Sequence, residues 1–133
     1  VSLALMASKF IPKALLSPPL QANVLSTDPD AIIEWADDPY TWKKMWRIGT
    51  SAAMIQAGRE LRQQIHQLTL PLLIMHGGAD ELTPTSGATF IQEHAHSDDI
   101  TVKIYAGLRH ELVNEICRIE IIDEITQWLL KHS

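Results

Sequence analysis

The sequence predicts an α/β protein built on parallel strands, and three observations predict it. The run Leu70-Pro71-Leu72-Leu73-Ile74-Met75 is short, continuously apolar and ends in His76-Gly77-Gly78, as a strand buried on both faces of a parallel sheet reads. Ile100 to Tyr105 alternates apolar and polar residues as a second strand. A helical pattern follows each run, and the order strand, helix, strand, helix implies right-handed crossovers and parallel pairing. With 133 residues, 46% of them hydrophobic and 20% charged, the chain has the length and make-up of an ordinary folded domain.

Taken in order, residues 1–69 offer helices and loops with almost no strand signal. Val1 to Ala7 is apolar but has neither the basic flank nor the length of a signal peptide. Without an initiator methionine, the chain is expected to begin partway through something larger. Pro18, Pro19 and the turn Ser26-Thr27-Asp28-Pro29 punctuate the first half. Asp28 or Thr27 can cap a short helix through Ile32, Ile33 and Trp35 that ends near Asp38-Pro39, because the residue before proline avoids the helical region. From Thr41 to about Gln67 the pattern is helical again. Trp42, Met45, Trp46, Met54, Ile55, Leu61 and Ile65 recur at three- and four-residue spacing. In the second half, Thr83 before Pro84 reads as a capped helix start, with the helix running to about Ala95. A last helix from about Asn114 places Ile121, Ile125, Trp128 and Leu129 on one face. Parallel sheets are normally larger than two strands and covered on both faces, so the sheet is expected to be completed by another polypeptide.

A net charge of -5, with the acids spread along the chain, argues against nucleic acid or an anionic membrane as the main partner. No run approaches the ~20 apolar residues of a membrane span. The single cysteine, Cys117, excludes an internal disulfide and fits a reducing compartment. A cytoplasmic setting, with peripheral membrane contact at most, is expected.

Two segments can carry chemistry. His76-Gly77-Gly78-Ala79-Asp80 puts a carboxylate just past the end of one buried strand. Tyr105-Ala106-Gly107-Leu108-Arg109-His110 puts a histidine past the end of the next. Open α/β sheets bind ligands beyond the carboxyl ends of their strands, and neighbouring strands lie ~4.8 Å apart. Asp80 and His110 can therefore meet. A carboxylate bonded to one imidazole nitrogen fixes the tautomer and leaves the other to take a proton from a nucleophile.

These segments, together with Val102-Lys103-Ile104-Tyr105-Ala106-Gly107, His110-Glu111 and Asn114-Glu115, resemble the end of an α/β-hydrolase of the monoacylglycerol lipase or lysophospholipase family. Leu25-Ser26-Thr27-Asp28-Pro29 and Asp38-Pro39-Tyr40 are similar to motifs of its cap region. The resemblance implies the C-terminal part of that fold: a mostly helical cap over residues 1–68, then a core segment, 69–133, with the last two parallel strands and their helices. It makes Asp80 the triad acid and His110 the triad base. It implies a serine carboxyl-ester hydrolase acting on a lipid-like ester, with no metal and no organic cofactor.

Nothing in the sequence resembles the family's His-Gly oxyanion loop or its Gly-x-Ser-x-Gly elbow. The triad serine is therefore expected outside this chain, and activity of the chain alone is not expected. Gly49-Thr50-Ser51-Ala52-Ala53 matches a relaxed elbow, but Lys43, Lys44 and Arg47 before it sit at helical spacing, so Ser51 reads as part of a helix. His94 and His96 read as a solvated helix end rather than a metal site. Glu115 reads first as a cap of the last helix and second as a partner of the His110 loop. The tryptophans, three of them in the first half, read as packing ahead of pocket lining. The rival reading is a non-catalytic fragment that self-associates through its open sheet edge, as a homodimer.

Overall fold

The chain winds in order through helix α1 (Ser2–Phe10), strand β1 (Leu15–Ser17), helix α2 (Pro29–Asp37), strand β2 (Trp46–Arg47), helix α3 (Ile48–Gln64), strand β3 (Leu72–Gly77), helix α4 (Ser86–His94), strand β4 (Ile100–Tyr105) and helix α5 (Arg118–Lys131), with single 3-10 turns between some of them. The structure, a computed structural model, describes residues 2–133. Val1, in the apolar opening stretch, lies outside the described residues. Two compact units form: the chain through Leu20 with Tyr40–Ile65, and Gln21–Pro39 with His66–Ser133. Residues 21–39 thus group with the strands.

In the first unit α1 packs on α3, and Ile48, Ala52 and Ile65 are buried. β1 and β2 form a small antiparallel ribbon, Leu15 opposite Arg47 and Ser17 opposite Trp46. No sequence signal announces this ribbon, because two or three residues are too few to show a period. The ribbon also corrects the helix expected from Thr41. Pairing with β1 holds residues 46–47 extended, and α3 begins only at Ile48. The Ile48 N–H donates to the Ala14 carbonyl at 2.8 Å and the Gly49 N–H to the Pro12 carbonyl at 3.0 Å, so the first turn of α3 spends its free N–H groups on the preceding segment.

In the second unit β3 and β4 are parallel and in step, from Leu72 opposite Ile100 to Gly77 opposite Tyr105. Ala88 of α4, Ile121 of α5 and Leu25 are its buried apolar side chains. Asp28 caps α2, accepting from the Asp30 N–H at 3.0 Å with Pro29 in the first turn. Its other oxygen takes a hydrogen bond from Arg118 at 2.7 Å, joining the start of α2 to the start of α5. That helix starts later than the sequence indicates, because residues 112–114 form a 3-10 turn of their own. The other end of α5 is tied to the residue before β4. The His132 ring stacks on Trp128 with centroids 4.0 Å apart and bonds Asp99 at 2.9 Å.

The close approach that positions the strand ends falls at Gly77. A Cβ there would lie 2.0 Å from the Arg109 carbonyl oxygen and 2.5 Å from that of Leu108, so only glycine lets the segment after β4 cross the end of β3. Gly77→Ala is expected to destabilise the second unit by about 3 kcal/mol, as a forced backbone shift does. Gly58, mid-helix in α3 with no atom within 4 Å of a Cβ position, supplies the control. Gly58→Ala is expected to add about 1 kcal/mol through helix propensity. Urea denaturation of the two variants beside the parent chain measures both.

Candidate active site

Beyond Gly77 the chain leaves β3 in a tight turn held by the neighbouring strand end. The Gly78 N–H donates to the Tyr105 carbonyl at 2.8 Å and the Ala79 N–H to the Leu108 carbonyl at 2.9 Å. Residues 105–108 make their own turn, closed by the Leu108 N–H on the Tyr105 carbonyl at 3.2 Å. Gly107 in this turn takes φ 82, a conformation glycine adopts without strain. The two turns carry Asp80 and His110.

The Asp80 side chain is 2% exposed and fully engaged. Oδ1 accepts from the Leu82 N–H at 2.8 Å and the Thr83 N–H at 3.0 Å. Oδ2 accepts from the Thr83 hydroxyl at 2.7 Å and lies 2.9 Å from His110 Nδ1. Burial alone raises the pKa of this carboxyl. The bonds from His110, Thr83 and Leu82 outweigh burial and hold it well below the usual carboxylate range. A carboxylate held charged is only an acceptor, so Nδ1 of His110 carries the proton. Nε2 is then the nitrogen left to exchange a proton, on a side chain 37% exposed. The pair that the sequence singled out is thus brought together in the geometry that orients a general base.

Sequence reasoning missed Thr83, which it read as a helix cap. α4 instead starts at Ser86 after Thr85, with no side-chain cap bond, and Thr83 serves Asp80 twice. The signal was present, since a hydroxyl three residues after an aspartate can bond back to it. His76 also stands beside Asp80, its Nε2 3.6 Å from Oδ2. Glu115 was ranked first as a helix cap, and that expectation is corrected. Its side chain is 0% exposed and turns into the His110 loop, where it accepts from the Arg109 N–H at 2.6 Å. Cys117 takes the cap position of α5 without a side-chain bond.

Ser51 lies within the first turns of α3, after a two-residue strand of an antiparallel ribbon. Among the described residues no non-glycine residue has positive φ, so the strained turn of a nucleophile elbow is not found at Ser51. His94 bonds the Phe90 carbonyl at 2.9 Å and stacks on that ring. His96 meets His66 edge-on at 6.0 Å. Among the described residues no three His, Cys, Asp or Glu side chains converge to hold a metal ion, and no helix is long and apolar enough to cross a membrane. A groove of about 590 Å³ runs along α1 and α3, lined by Leu5, Pro12, Ala52 and Ala53 with Lys9 and Arg59. None of the tryptophans lines it.

Comparison with known proteins places this geometry. The pattern of the family described as "Serine aminopeptidase, S33" matches residues 1–116. A monoacylglycerol lipase of Mycolicibacterium smegmatis is 33% identical over 113 residues, covering 85% of this chain and 40% of the relative. Human monoglyceride lipase is 28% identical, covering 86% and 39%. The crystal structure of Paleococcus ferrophilus monoacylglycerol lipase superposes with a TM-score of 0.88 at 25% identity, over 99% of this chain and 51% of that one. A soluble variant of monoglyceride lipase from Saccharomyces cerevisiae, bound to a substrate analog, shares the fold with a TM-score of 0.85 over 48% of its length. The chain therefore has the α/β-hydrolase architecture, corresponds to the C-terminal part of these proteins, and spans about two-fifths of the curated relatives it matches.

The depressed Asp80 carboxyl makes stability depend on pH in a defined direction. In the unfolded chain the group titrates near ~3.9, above its folded value, so its contribution is complete above that pH and fades as pH falls toward the folded value. Asp80→Asn is expected to cost about 2 kcal/mol at pH 7, the worth of a charge-assisted bond. The gap between variant and parent is expected to narrow at pH 3. Urea unfolding at the two pH values checks both statements, and a gap that widens in acid contradicts the assignment.

Proposed function

Since the chain belongs to the Serine aminopeptidase, S33 family of α/β-hydrolases and matches the C-terminal part of monoacylglycerol lipases, we propose that it supplies the acid and the base of a serine carboxyl-ester hydrolase. The observation that carries this is the 2.9 Å contact between Asp80 Oδ2 and His110 Nδ1, at the carboxyl ends of adjacent parallel strands. On this reading a serine outside these residues attacks the ester carbonyl and His110 Nε2 takes its proton. Asp80 holds the ring and stabilises the imidazolium, and His110 returns the proton to the leaving alcohol. Water then releases the acyl group by the same relay. The oxyanion donors also come from outside the chain, since the residues around Asp80 and His110 supply none in the elbow arrangement.

A lipid-like ester is the substrate class that fits. The relatives named above are lipases of monoacylglycerols, and another, 26% identical, is a caffeoylshikimate esterase of Arabidopsis thaliana; both names describe esters. The family description names a peptidase, and one fold supports both chemistries. A cytoplasmic setting, with contact at a membrane surface, accords with the free Cys117 and with such a substrate. A second reading, self-association, draws on the two-stranded sheet. Among the described residues β3 and β4 pair only with each other, which leaves strand edges able to pair with a second copy.

Fluorophosphonate labelling tests where the nucleophile lies. The 133-residue chain is expected to remain unlabelled, and Ser51→Ala to change nothing; labelling that Ser51→Ala abolishes overturns the assignment. Wherever the chain is joined to a nucleophile elbow, His110→Ala and Asp80→Asn are each expected to lower kcat on a monoacylglycerol by about 10⁴-fold. Faster hydrolysis of an aminoacyl amide than of the ester overturns the substrate class. Sedimentation of the isolated chain decides the second reading, a monomer at micromolar concentration excluding it.

A further inference from the structure

The proposed mechanism makes no use of Glu115, yet this is the most completely buried charged side chain among the described residues. A buried carboxylate is tolerated only where donors replace its water, and the donors here come from two distant segments. Oε1 accepts from the Arg109 N–H at 2.6 Å. Oε2 accepts from the Thr27 N–H at 2.9 Å, from the Thr27 hydroxyl, and from the Ser26 hydroxyl at 3.4 Å. The Ser26 hydroxyl points mainly at the Asn114 carbonyl, 2.8 Å away. Burial raises the Glu115 pKa and the donors outweigh it, so the group stays charged.

The place of these bonds in the chain matters. The Arg109 N–H belongs to the residue directly before His110. The residue directly after, Glu111, gives its N–H to the Leu25 carbonyl at 2.8 Å. His110 is therefore held on both sides by the 25–28 segment, once directly and once through the Glu115 carboxylate. From within the strand-end turns, the Leu108 carbonyl is fixed by Ala79. With Leu108, Arg109 and Glu111 all anchored, the backbone of His110 has little freedom, and its ring meets Asp80 from a set direction.

We propose that Glu115 is a positioning residue for His110, aligning its ring on Asp80 by clamping the Arg109 peptide to the Ser26-Thr27 turn. This rests on the reading of His110 as the base. A carboxylate is required because both oxygens face donors. Glu115→Gln would set an NH2 group against either the Arg109 N–H or the Thr27 N–H, and one of the two would be left without an acceptor.

The test is proton NMR of the 133-residue chain with nitrogen-15 histidine, following the Nδ1–H of His110, with the His132 ring as an internal control. In the parent chain this proton is expected far downfield and protected by Asp80, and Asp80→Asn is expected to remove it. Glu115→Gln is expected to move it upfield and speed its exchange with water by about tenfold or more, leaving the His132 signals unchanged. Thr27→Val, which removes one hydroxyl and keeps the charge, is expected to act in the same direction to a smaller extent, and it decides the matter if Glu115→Gln does not fold. A folded variant with His110 unmoved, while Asp80→Asn still moves it, overturns the role of Glu115 alone. No response even to Asp80→Asn overturns the reading of the pair as well. A merely structural Glu115 would alter the unfolding midpoint and leave the His110 proton where it is.

Discussion

Two carboxylates withdrawn from water organise the second unit, and their demand for donors is the constraint from which its functional end follows. Each must collect hydrogen bonds to replace lost hydration, since an unsatisfied buried charge costs several kcal/mol. Glu115 meets that demand by drawing in Thr27 and Arg109, residues far apart in sequence. Asp80 meets it with its own following turn and with His110. One carboxylate thus fixes a backbone and the other fixes a side chain, and His110 stands where the two sets of bonds converge. Gly77 belongs to the same constraint, because the carbonyls of Leu108 and Arg109 reach this position only where no Cβ stands in the way.

Glu124 offers a contrast, a charge pair formed without burial. Glu124 bonds Lys103 and the Tyr105 hydroxyl and is held below its ordinary pKa by those bonds. It lies on a partly exposed face, with the Lys103 and Glu124 side chains 44% and 37% exposed, where ion pairs are screened and contribute little. Burial and the Glu124 bond push the Tyr105 hydroxyl pKa upward, so it stays a donor. This cluster attaches α5 to β4. It does not converge on an imidazole as the Asp80 and Glu115 networks do.

What was legible in the sequence follows from how far each determinant reaches along the chain. β3 and β4 declared themselves because an apolar run or an alternation is a local pattern, and Asp28 with Pro29 announced α2 because a cap and its helix are adjacent. That Asp80 and His110 meet was legible through strand-end position. The β1–β2 ribbon left no period to detect, and it displaced the start of the helix expected from Thr41. The role of Glu115 was illegible for a different reason: its partners at 26 and 27 come from the opposite end of the chain. A glutamate just before a helix reads locally as a cap, and only tertiary placement shows that it faces away from the helix. The grouping of 21–39 with the strands escaped notice for the same reason, since its anchors, Asp28 to Arg118 and Leu25 to Glu111, are all long-range.

The burial of β3 carries the last step. Its sequence is that of a strand covered on both faces, yet every residue from Leu72 to His76 is only half-buried, and only Gly77 is enclosed. Ile116, Ile119, Ile122, Leu129 and Leu130, around and along α5, are exposed as well. Apolar surface left in water forgoes roughly 25 cal/mol for each Å², so a cover that α4 and α5 do not complete would stabilise a strand of this composition. The proposed chemistry is incomplete in the same way: on that reading Asp80 and His110 act on a nucleophile, and Ser51 sits in a helix of the other unit. On the proposed function both deficits have one remedy. Strands from outside these residues would extend the sheet, bury apolar surface and, on that reading, carry the nucleophile at the same carboxyl edge as His110. A second copy of this chain could cover the apolar surface but, on the same reading, would bring no nucleophile, and that difference separates the proposed hydrolase from self-association.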